Sequence, residues 1–240
     1  MPNSLAIAAH PVSNDPTVPG EIPVWAAAFS PYEHIVALTQ KLTGSADSAH
    51  DESHLIRVWT NAKRIAMDEG GDLEILATAT LLHDCVAVEK NSPLRSQASR
   101  MAAAAARDLL LEVGWSEERI QAVAHAIEAH SFSARIAPTT TEARILQDAD
   151  RLDALGAIGI ARLFMVSGRL DRPIYDLADP MAENRPLDET RFALDHFWTK
   201  LLGLPETFQT RLGRELAAVR AERISKFILD LKHEIGAEAL

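Results

Sequence analysis

The chain has 240 residues, of which 47% are hydrophobic and 24% charged, and its formal net charge at pH 7 is -10. This length and composition are sufficient for one globular domain with a full hydrophobic core. The negative charge argues against general affinity for a nucleic-acid backbone, which requires clustered Lys and Arg side chains, but it is compatible with a local basic pocket. Cys85 is the only cysteine, which excludes an intrachain disulfide and a Cys-rich metal site.

The sequence predicts neither a membrane span nor an export signal. No apolar stretch approaches the roughly 20 residues of a transmembrane helix, and the N-terminus lacks the basic and apolar segments of a signal peptide. We therefore expect a cytoplasmic protein with no membrane partner. Residues 1–28 carry Pro11, Pro16, Pro19 and Pro23 among small and polar residues, which is typical of an irregular arm. Residues 29–240 are expected to form a single domain.

Beyond the arm, apolar residues recur at the three- and four-residue steps of amphipathic helices. The helices predicted in chain order cover roughly residues 51–68, 72–83, 96–113, 116–130, 141–167, 187–202 and 205–235. Asp72 and Ser116 are placed as N-caps, and Pro205 is placed in the first turn of the last helix. Residues 168–186 form a polar connection that either covers a cleft or joins two helices. Because no stretch alternates as a β-strand does, the predicted class is all-α.

Four side chains are candidate metal ligands. His83 and Asp84 are adjacent at the end of an apolar run, while His54 and Asp150 lie within segments that otherwise have the pattern of core helices. Two imidazoles and two carboxylates suit an octahedral first-row ion, with manganese favoured, iron, cobalt or nickel close behind, and magnesium or zinc tolerated. The alternative is that each side chain satisfies a separate buried hydrogen bond. Four such residues together favour one divalent metal ion.

Other residues are candidates for contact with a substrate. A bound divalent ion lowers the pKa of a coordinated water toward about 7 and offsets charge on a phosphoryl oxygen, so hydrolysis of a phosphate ester or anhydride is expected. Lys90, Arg95 and Arg57 are candidates for binding phosphate, although each could instead be solvated or paired with a carboxylate. His130 is a candidate to contact substrate or protonate a leaving group. Asp153 is one turn beyond Asp150, where it could orient a ligand, a water or a substrate hydroxyl.

The order His54, His83-Asp84, Asp150 resembles the HD-domain superfamily of metal-dependent phosphohydrolases. The segments Leu81–Asp84, His130–Ser133 and Asp148–Gly159 are similar to those of a bacterial group of single-domain HD hydrolases, and the resemblance covers about residues 30–235. It implies a single helical bundle in which these four residues bind one divalent metal ion. Some members of the group are similar to nucleotide pyrophosphohydrolases, which implies cleavage of (deoxy)nucleoside triphosphates to monophosphate and pyrophosphate by a metal-activated water.

Several other activities are compatible with the same residues. A nucleotide monophosphatase, a cyclic-nucleotide phosphodiesterase and a hydrolase of guanosine alarmones could all use one such ion, and a nucleotide-binding sensor could keep the ion without turnover. The sequence has no Gly-x-Ser-x-Gly turn and no phosphate-binding glycine loop with its lysine. The expected partner is a small phosphorylated metabolite, in particular a nucleotide, and not a long nucleic acid. A homodimer is left open.

Overall fold

The computed structural model describes residues 22–39, 42, 52–86, 88, 92 and 94–236. Across these ranges the regular structure is helical and no β-strand occurs, which confirms the predicted all-α class. The eight α-helices found there are α1 (Glu33–Thr39), α2 (Glu52–Glu69), α3 (Leu73–Leu82), α4 (Ala98–Glu112), α5 (Glu117–His130), α6 (Thr141–Asp153), α7 (Gly156–Arg169) and α8 (Arg211–Glu234).

The boundary predicted between residues 28 and 29 lies within a short 3-10 helix over Val24–Phe29. Residues 1–21 of the predicted arm lie outside the described part of the chain. Phe29 is fully buried and stacks on Trp59 of α2 with 5.5 Å between ring centroids. The Trp59 indole donates a hydrogen bond to the carbonyl of Ala28. The last residues of the expected arm therefore pack on the helical domain.

Helix α3 forms the centre of the core. Every residue from Ile75 to Leu82 is buried, and the helix packs against α2, α5 and α6. The predicted cap is confirmed, because the Asp72 side chain accepts hydrogen bonds from the backbone N–H groups of Glu74 and Ile75. Ser116 also occupies the N-cap position of α5, but its side chain makes no capping hydrogen bond. Because α3 is buried on all sides, the residue that follows it, His83, also lies in the interior.

The continuous helix predicted over residues 141–167 is wrong, because α6 ends at Asp153 and α7 begins at Gly156. Gly156 has φ +68°, a left-handed conformation that interrupts an α-helix. A Cβ atom at Gly156 would lie 3.2 Å from Cγ of Arg220 on α8. The break is therefore fixed by the backbone of one glycine and by the close approach of a third helix. It allows α7 to fold back against α6.

The helix predicted over residues 187–202 is also wrong, since only a π-helical turn at Phe197–Leu201 and its short lead-in are helical. The buried Asp195 carboxylate accepts hydrogen bonds from the Arg185 guanidinium at 2.6 and 2.8 Å and from the backbone N–H of Asp188 at 2.6 Å. The Asp188 side chain accepts from the backbone N–H of Thr190 at 3.0 Å. Such side-chain contacts compete with the hydrogen bonds of a helix.

The last helix begins later than predicted. Pro205 lies in a separate 3-10 helix over Leu204–Thr207, and α8 begins at Arg211 with Thr210 as its N-cap. The reason is a tertiary contact: the buried Asp148 carboxylate of α6 accepts hydrogen bonds from the backbone N–H groups of Gln209 and Thr210. None of the helices in the described ranges is long and apolar enough to cross a membrane.

Replacement of Gly156 tests the helix break. We expect Gly156→Ala to lower the free energy of unfolding by about 1–2 kcal/mol, because alanine is strained at positive φ and its Cβ would press on the Arg220 side chain. Urea denaturation monitored by circular dichroism measures the change. Gly168→Ala is the matched control, since Gly168 lies within α7 with open space at its Cβ position. A destabilisation of Gly168→Ala equal to that of Gly156→Ala would contradict the account of the break.

Candidate functional site

The helix ends around α3 bring five metal-capable side chains together. They are His54 in the first turn of α2, His83 and Asp84 after α3, His130 at the end of α5 and Asp150 near the end of α6. Nε2 of His54 lies 3.3 Å from Nε2 of His83 and 3.5 Å from Oδ1 of Asp150. Nε2 of His83 lies 3.9 Å from the same Asp150 oxygen.

Asp84 and His130 join this cluster through His83. Oδ2 of Asp84 is 3.5 Å from Nε2 of His83, and Oδ1 of Asp84 is 3.8 Å from Nε2 of His130. One ligand atom from each of His83, Asp84 and His130 lies within 4.8 Å of the others, and the same holds for His54, His83 and Asp150. The structure thus brings together the four residues that the sequence proposes as metal ligands, and it adds His130 beside them.

Each of the three histidines has one ring nitrogen engaged. Nδ1 of His83 lies 2.7 Å from the carbonyl oxygen of Thr80, and Nδ1 of His130 lies 2.6 Å from that of Ile127. Nδ1 of His54 lies 2.7 Å from Oδ2 of Asp153. Because carbonyl and carboxylate oxygens only accept, all three Nδ1 atoms donate, and each neutral ring keeps a lone pair on Nε2.

The cluster is therefore composed of hydrogen-bond acceptors. Lone pairs on Nε2 of His54 and His83 approach to 3.3 Å, and the oxygens beside them belong to Asp84 and Asp150. Such an arrangement requires a cation to offset the mutual repulsion. Burial of the His130 ring, and then the neighbouring His83, lower the pKa of His130 below its ordinary value. Its imidazole is consequently neutral near pH 7, as a metal ligand or a proton acceptor must be.

Asp153 supports His54 from behind the cluster. Its carboxylate has a side-chain exposure of 1% and accepts hydrogen bonds from His54, from Nε of Arg57 at 2.6 Å and from Nη1 of Arg162 at 2.5 Å. Burial acts to raise the pKa of Asp153, but the hydrogen bonds from His54 and Arg57 lower it by more, and the net pKa is well below the ordinary value. Asp153 is thus a buried carboxylate held in its charged form by three donors.

Arg57 and Arg162 are both directed to this carboxylate. The described contacts of Arg57 are with Asp153 and with the Ser53 hydroxyl, which is the acidic pairing that the sequence allowed as an alternative to phosphate binding. The sequence gives no indication of a role for Arg162. In a continuous helix it would lie about 13 Å along the axis from Asp153, nine residues away. The break at Gly156 is what allows Arg162 to contact Asp153.

A cavity of about 530 Å³ opens from the cluster, and Asp84, His130 and Asp150 form part of its wall. Five cationic side chains line it: Arg95, Arg151, Arg162, Arg172 and Lys200. Arg95 is the only one of these proposed from the sequence, and its guanidinium donates to the carbonyl of Val88 at 3.1 Å. Lys90 lies outside the described residues. In the lining of this cavity the five cationic side chains thus outnumber the three acidic ones, Asp84, Asp150 and Glu189.

Two of these cations contact the ring of Phe132. Its ring is 54% exposed and lines the cavity. The Arg151 guanidinium lies 5.6 Å from the ring centroid and the Lys200 ammonium lies 5.5 Å from it. These are cation–π distances. Phe132 belongs to the His130–Ser133 segment, but nothing in the local sequence indicates that residues 151 and 200 come to it.

Cys85 follows the ligand pair and is partly buried. Its thiol lies 3.7 Å from the carbonyl oxygen of Ala102. Burial, and then the charge of Asp84, raise the pKa of Cys85 to about 11. The thiol is therefore protonated at neutral pH, as expected for a reduced and unreactive cysteine.

Solved structures have the same fold. The crystal structure of Bacillus subtilis YpgQ in complex with ADP superposes with a TM-score of 0.65 at 31% identity, covering 84% of this chain and 97% of that one. An HD-superfamily hydrolase from Bacillus thuringiensis also has a TM-score of 0.65 and 31% identity, covering 85% of this chain and 98% of its own. The fold is therefore that of the HD-superfamily hydrolases.

Sequence similarity gives the same assignment. The family model for the HD domain matches residues 52–155. This range includes His54, His83, Asp84 and Asp150. The uncharacterized protein YpgQ of Bacillus subtilis (strain 168) is 33% identical over 207 residues, which cover 85% of this chain and 93% of that protein. The chain belongs to the HD-domain superfamily, which confirms the resemblance and the predicted helical bundle.

Removal of the Asp153 charge tests its buried contacts. We expect Asp153→Asn to lower the free energy of unfolding at pH 7 by about 3–5 kcal/mol, because Arg57 and Arg162 lose their charged partner. Since the folded-state pKa is depressed, the stabilisation is complete above the unfolded-state pKa of about 3.9. It is lost as the pH falls below that value, so the difference between the two proteins should shrink in acid.

Urea denaturation at pH 7, 5 and 3.5 measures this dependence. Asp230→Asn is the control, because Asp230 forms an exposed pair with Lys226 one turn away and should change stability by no more than about 0.5 kcal/mol. The assigned role would be contradicted if Asp153→Asn lowered the free energy of unfolding by no more than Asp230→Asn does. It would also be contradicted if the destabilisation by Asp153→Asn increased as the pH falls.

Proposed function

We propose that this protein is a divalent-metal-dependent phosphohydrolase that cleaves (deoxy)nucleoside triphosphates to monophosphate and pyrophosphate. The observation that carries the proposal is a cluster of two buried histidines, His54 and His83, and two partly buried carboxylates, Asp84 and Asp150, at one end of a cavity lined by cations. The cluster suits a metal ion and the cations suit a polyphosphate. The relative YpgQ has been crystallised with ADP, which supports a nucleotide as the ligand.

The donor set fits a divalent first-row metal ion. Two imidazole nitrogens and two carboxylates favour manganese, with magnesium, cobalt, nickel, iron and zinc as alternatives by chemistry. His54, His83, Asp84 and Asp150 would hold the ion, and Nε2 of His130 lies close enough to Asp84 to serve beside them. When bound, the ion supplies a Lewis acid that lowers the pKa of water and offsets charge on a phosphoryl oxygen.

The remaining residues of the site would orient the metal ligands and neutralise the charge of the phosphates. Asp153, held by Arg57 and Arg162, keeps Nδ1 of His54 protonated and so directs its lone pair toward the cluster. His130 is neutral and has its Nδ1 hydrogen on a backbone carbonyl, so Nε2 can accept a proton or hydrogen bond at the reacting centre. Arg95, Arg151 and Lys200 would neutralise the phosphate oxygens.

The metal ligands can be tested individually. We expect Asp150→Asn to lose stoichiometric manganese and to lower kcat/KM at least about 100-fold, because loss of even an outer partner of a metal ligand costs up to that factor. Metal content is measured by plasma mass spectrometry after desalting, and turnover by release of pyrophosphate. His34→Ala is the control, since its side chain is 62% exposed on α1. Wild-type metal content and activity in Asp150→Asn would exclude this site.

Product identity separates the proposed reaction from its alternatives. Deoxynucleoside triphosphates, monophosphates and cyclic nucleotides are incubated with the protein and manganese, cobalt or magnesium, and the products are followed by phosphorus NMR. We expect pyrophosphate and a nucleoside monophosphate from triphosphates. Orthophosphate from monophosphates would indicate a monophosphatase, and opening of cyclic nucleotides a phosphodiesterase. Binding of nucleotides without any product under all three metals would indicate a sensor.

A further inference from the structure

The cavity continues along α7 away from the histidine cluster. Gly159, Leu163, Val166, Ser167 and Leu170 line it at the spacing of one helical face. Arg162, on the same helix, marks the end near the cluster through its contact with Asp153. With a rise of 1.5 Å per residue, Leu170 lies about 12 Å farther along the helix axis. The far part of the cavity is thus formed by the second half of α7 and by Arg172, which follows it.

Two polar groups in this far part have no partner within the described structure. Ser167 is 3% exposed, and its buried Oγ makes no hydrogen bond to any described residue. The buried Nε of Arg172 makes none either. Both residues line the cavity. Because buried polar groups in native proteins are nearly always hydrogen-bonded, two such groups at one cavity wall indicate a ligand with acceptor atoms.

His196 adds an acceptor to the same cavity. Its Nδ1 lies 2.7 Å from Oε2 of Glu189, and the Thr199 hydroxyl donates to that oxygen at 2.5 Å. The carboxylate fixes the tautomer, so Nδ1 donates and Nε2 remains as an acceptor. Burial lowers the pKa of His196, with the Glu189 contact opposing it, and this supports a neutral ring near pH 7.

Aliphatic side chains lie beside these polar groups. Leu163, Val166 and Leu170 lie on the same wall as Ser167. A few fixed donors and acceptors among aliphatic side chains are typical of a pocket that binds a heterocycle. The cations proposed to bind the polyphosphate lie elsewhere in the cavity, beside the histidine cluster. Arg151 follows Asp150 directly in the chain, and Arg151 and Lys200 both contact the Phe132 ring.

We propose that the far part of the cavity binds the nucleobase of the substrate, with Arg172 and Ser167 donating hydrogen bonds to its acceptor edge. The proposal rests on the nucleotide substrate proposed above and assigns the base to one end of the cavity. Arg172 is then a residue that distinguishes nucleotides from simple polyphosphates, and it contributes to the choice among bases. The phosphates extend from it toward Asp84 and Asp150.

The test compares a ligand that has a base with one that has none. Binding of the four deoxynucleoside monophosphates and of inorganic tripolyphosphate is measured by titration calorimetry for wild type, Arg172→Ala, Arg172→Lys and Ser167→Ala. Arg169→Ala is the matched control, because Arg169 is exposed in the last turn of α7 and does not line the cavity. Thermal melts of all five proteins verify folding, and Ser167→Ala removes a single hydroxyl in case Arg172→Ala does not fold.

We expect Arg172→Ala to weaken the best-bound monophosphate about tenfold, as loss of a hydrogen bond from a charged donor does. The dissociation constant of tripolyphosphate should change by less than about twofold. The differences in affinity among the four monophosphates should become smaller. Ser167→Ala should weaken the monophosphate about threefold, and Arg172→Lys should restore part of the Arg172→Ala loss. In the wild type, KM should respond to the base more than kcat does.

Three results would overturn the proposal. Equal weakening of monophosphate and tripolyphosphate would make Arg172 a phosphate ligand. Unchanged monophosphate binding in both Arg172→Ala and Ser167→Ala would remove their role, and failure of the wild type to bind any monophosphate would remove the base site. The proposed hydrolysis fails by a different observation, the absence of pyrophosphate release by the wild type, and the calorimetric result stands in that case.

Discussion

The candidate site depends on one close contact between two buried imidazole rings. Nε2 of His54 and Nε2 of His83 are 3.3 Å apart, and neither ring is free to turn its N–H toward the other, because each Nδ1 is engaged elsewhere. Folding brings these acceptors together with two carboxylates, which is costly without a cation. A divalent ion converts the same arrangement into a stabilising one.

The ends of the helices restrain the orientation of the histidine rings. His83 follows α3 and His130 ends α5, and each ring is bound through Nδ1 to the carbonyl oxygen three residues earlier. The last carbonyls of a helix have no partner within the helix, so they are available to orient a ring without any further side chain. His54 lies at the start of α2, where no such carbonyl is free, and its partner is the buried Asp153. The termini of packed helices therefore determine which nitrogens face the cluster.

The parts of the site that the sequence predicts are those with local signals. The ligand residues stand out because polar side chains interrupt apolar helical patterns, and the cap at Asp72 depends on its immediate neighbours. The break between α6 and α7 has no comparable signal, because a glycine within a helix costs only about 1 kcal/mol and Gly156 is compatible with a continuous helix. The approach of Arg220 from a distant helix to Gly156 is equally absent from the local sequence. The contact between Arg162 and Asp153 follows from that break and is equally hidden.

One part of the cavity wall is not predicted from the sequence for a similar reason. The segment before Phe197 has enough apolar residues to resemble a helix, but the buried Asp195 binds Arg185 and the backbone of Asp188 and holds it in turns. Only the folded chain shows that these turns bring Glu189, His196 and Lys200 to the cavity that begins at Asp84. Amphipathic periodicity reports the face that a helix buries, and it carries no information about a polar loop held by tertiary hydrogen bonds.

The most direct test of the central claim is the position of a bound manganese ion. Crystals grown with manganese and measured at its absorption edge locate the ion by anomalous scattering. A single strong peak is expected about 2.0–2.3 Å from Nε2 of His54 and His83 and from one carboxylate oxygen each of Asp84 and Asp150. A peak away from these atoms, or none at saturating manganese, would contradict the account of the acceptor cluster as a metal centre.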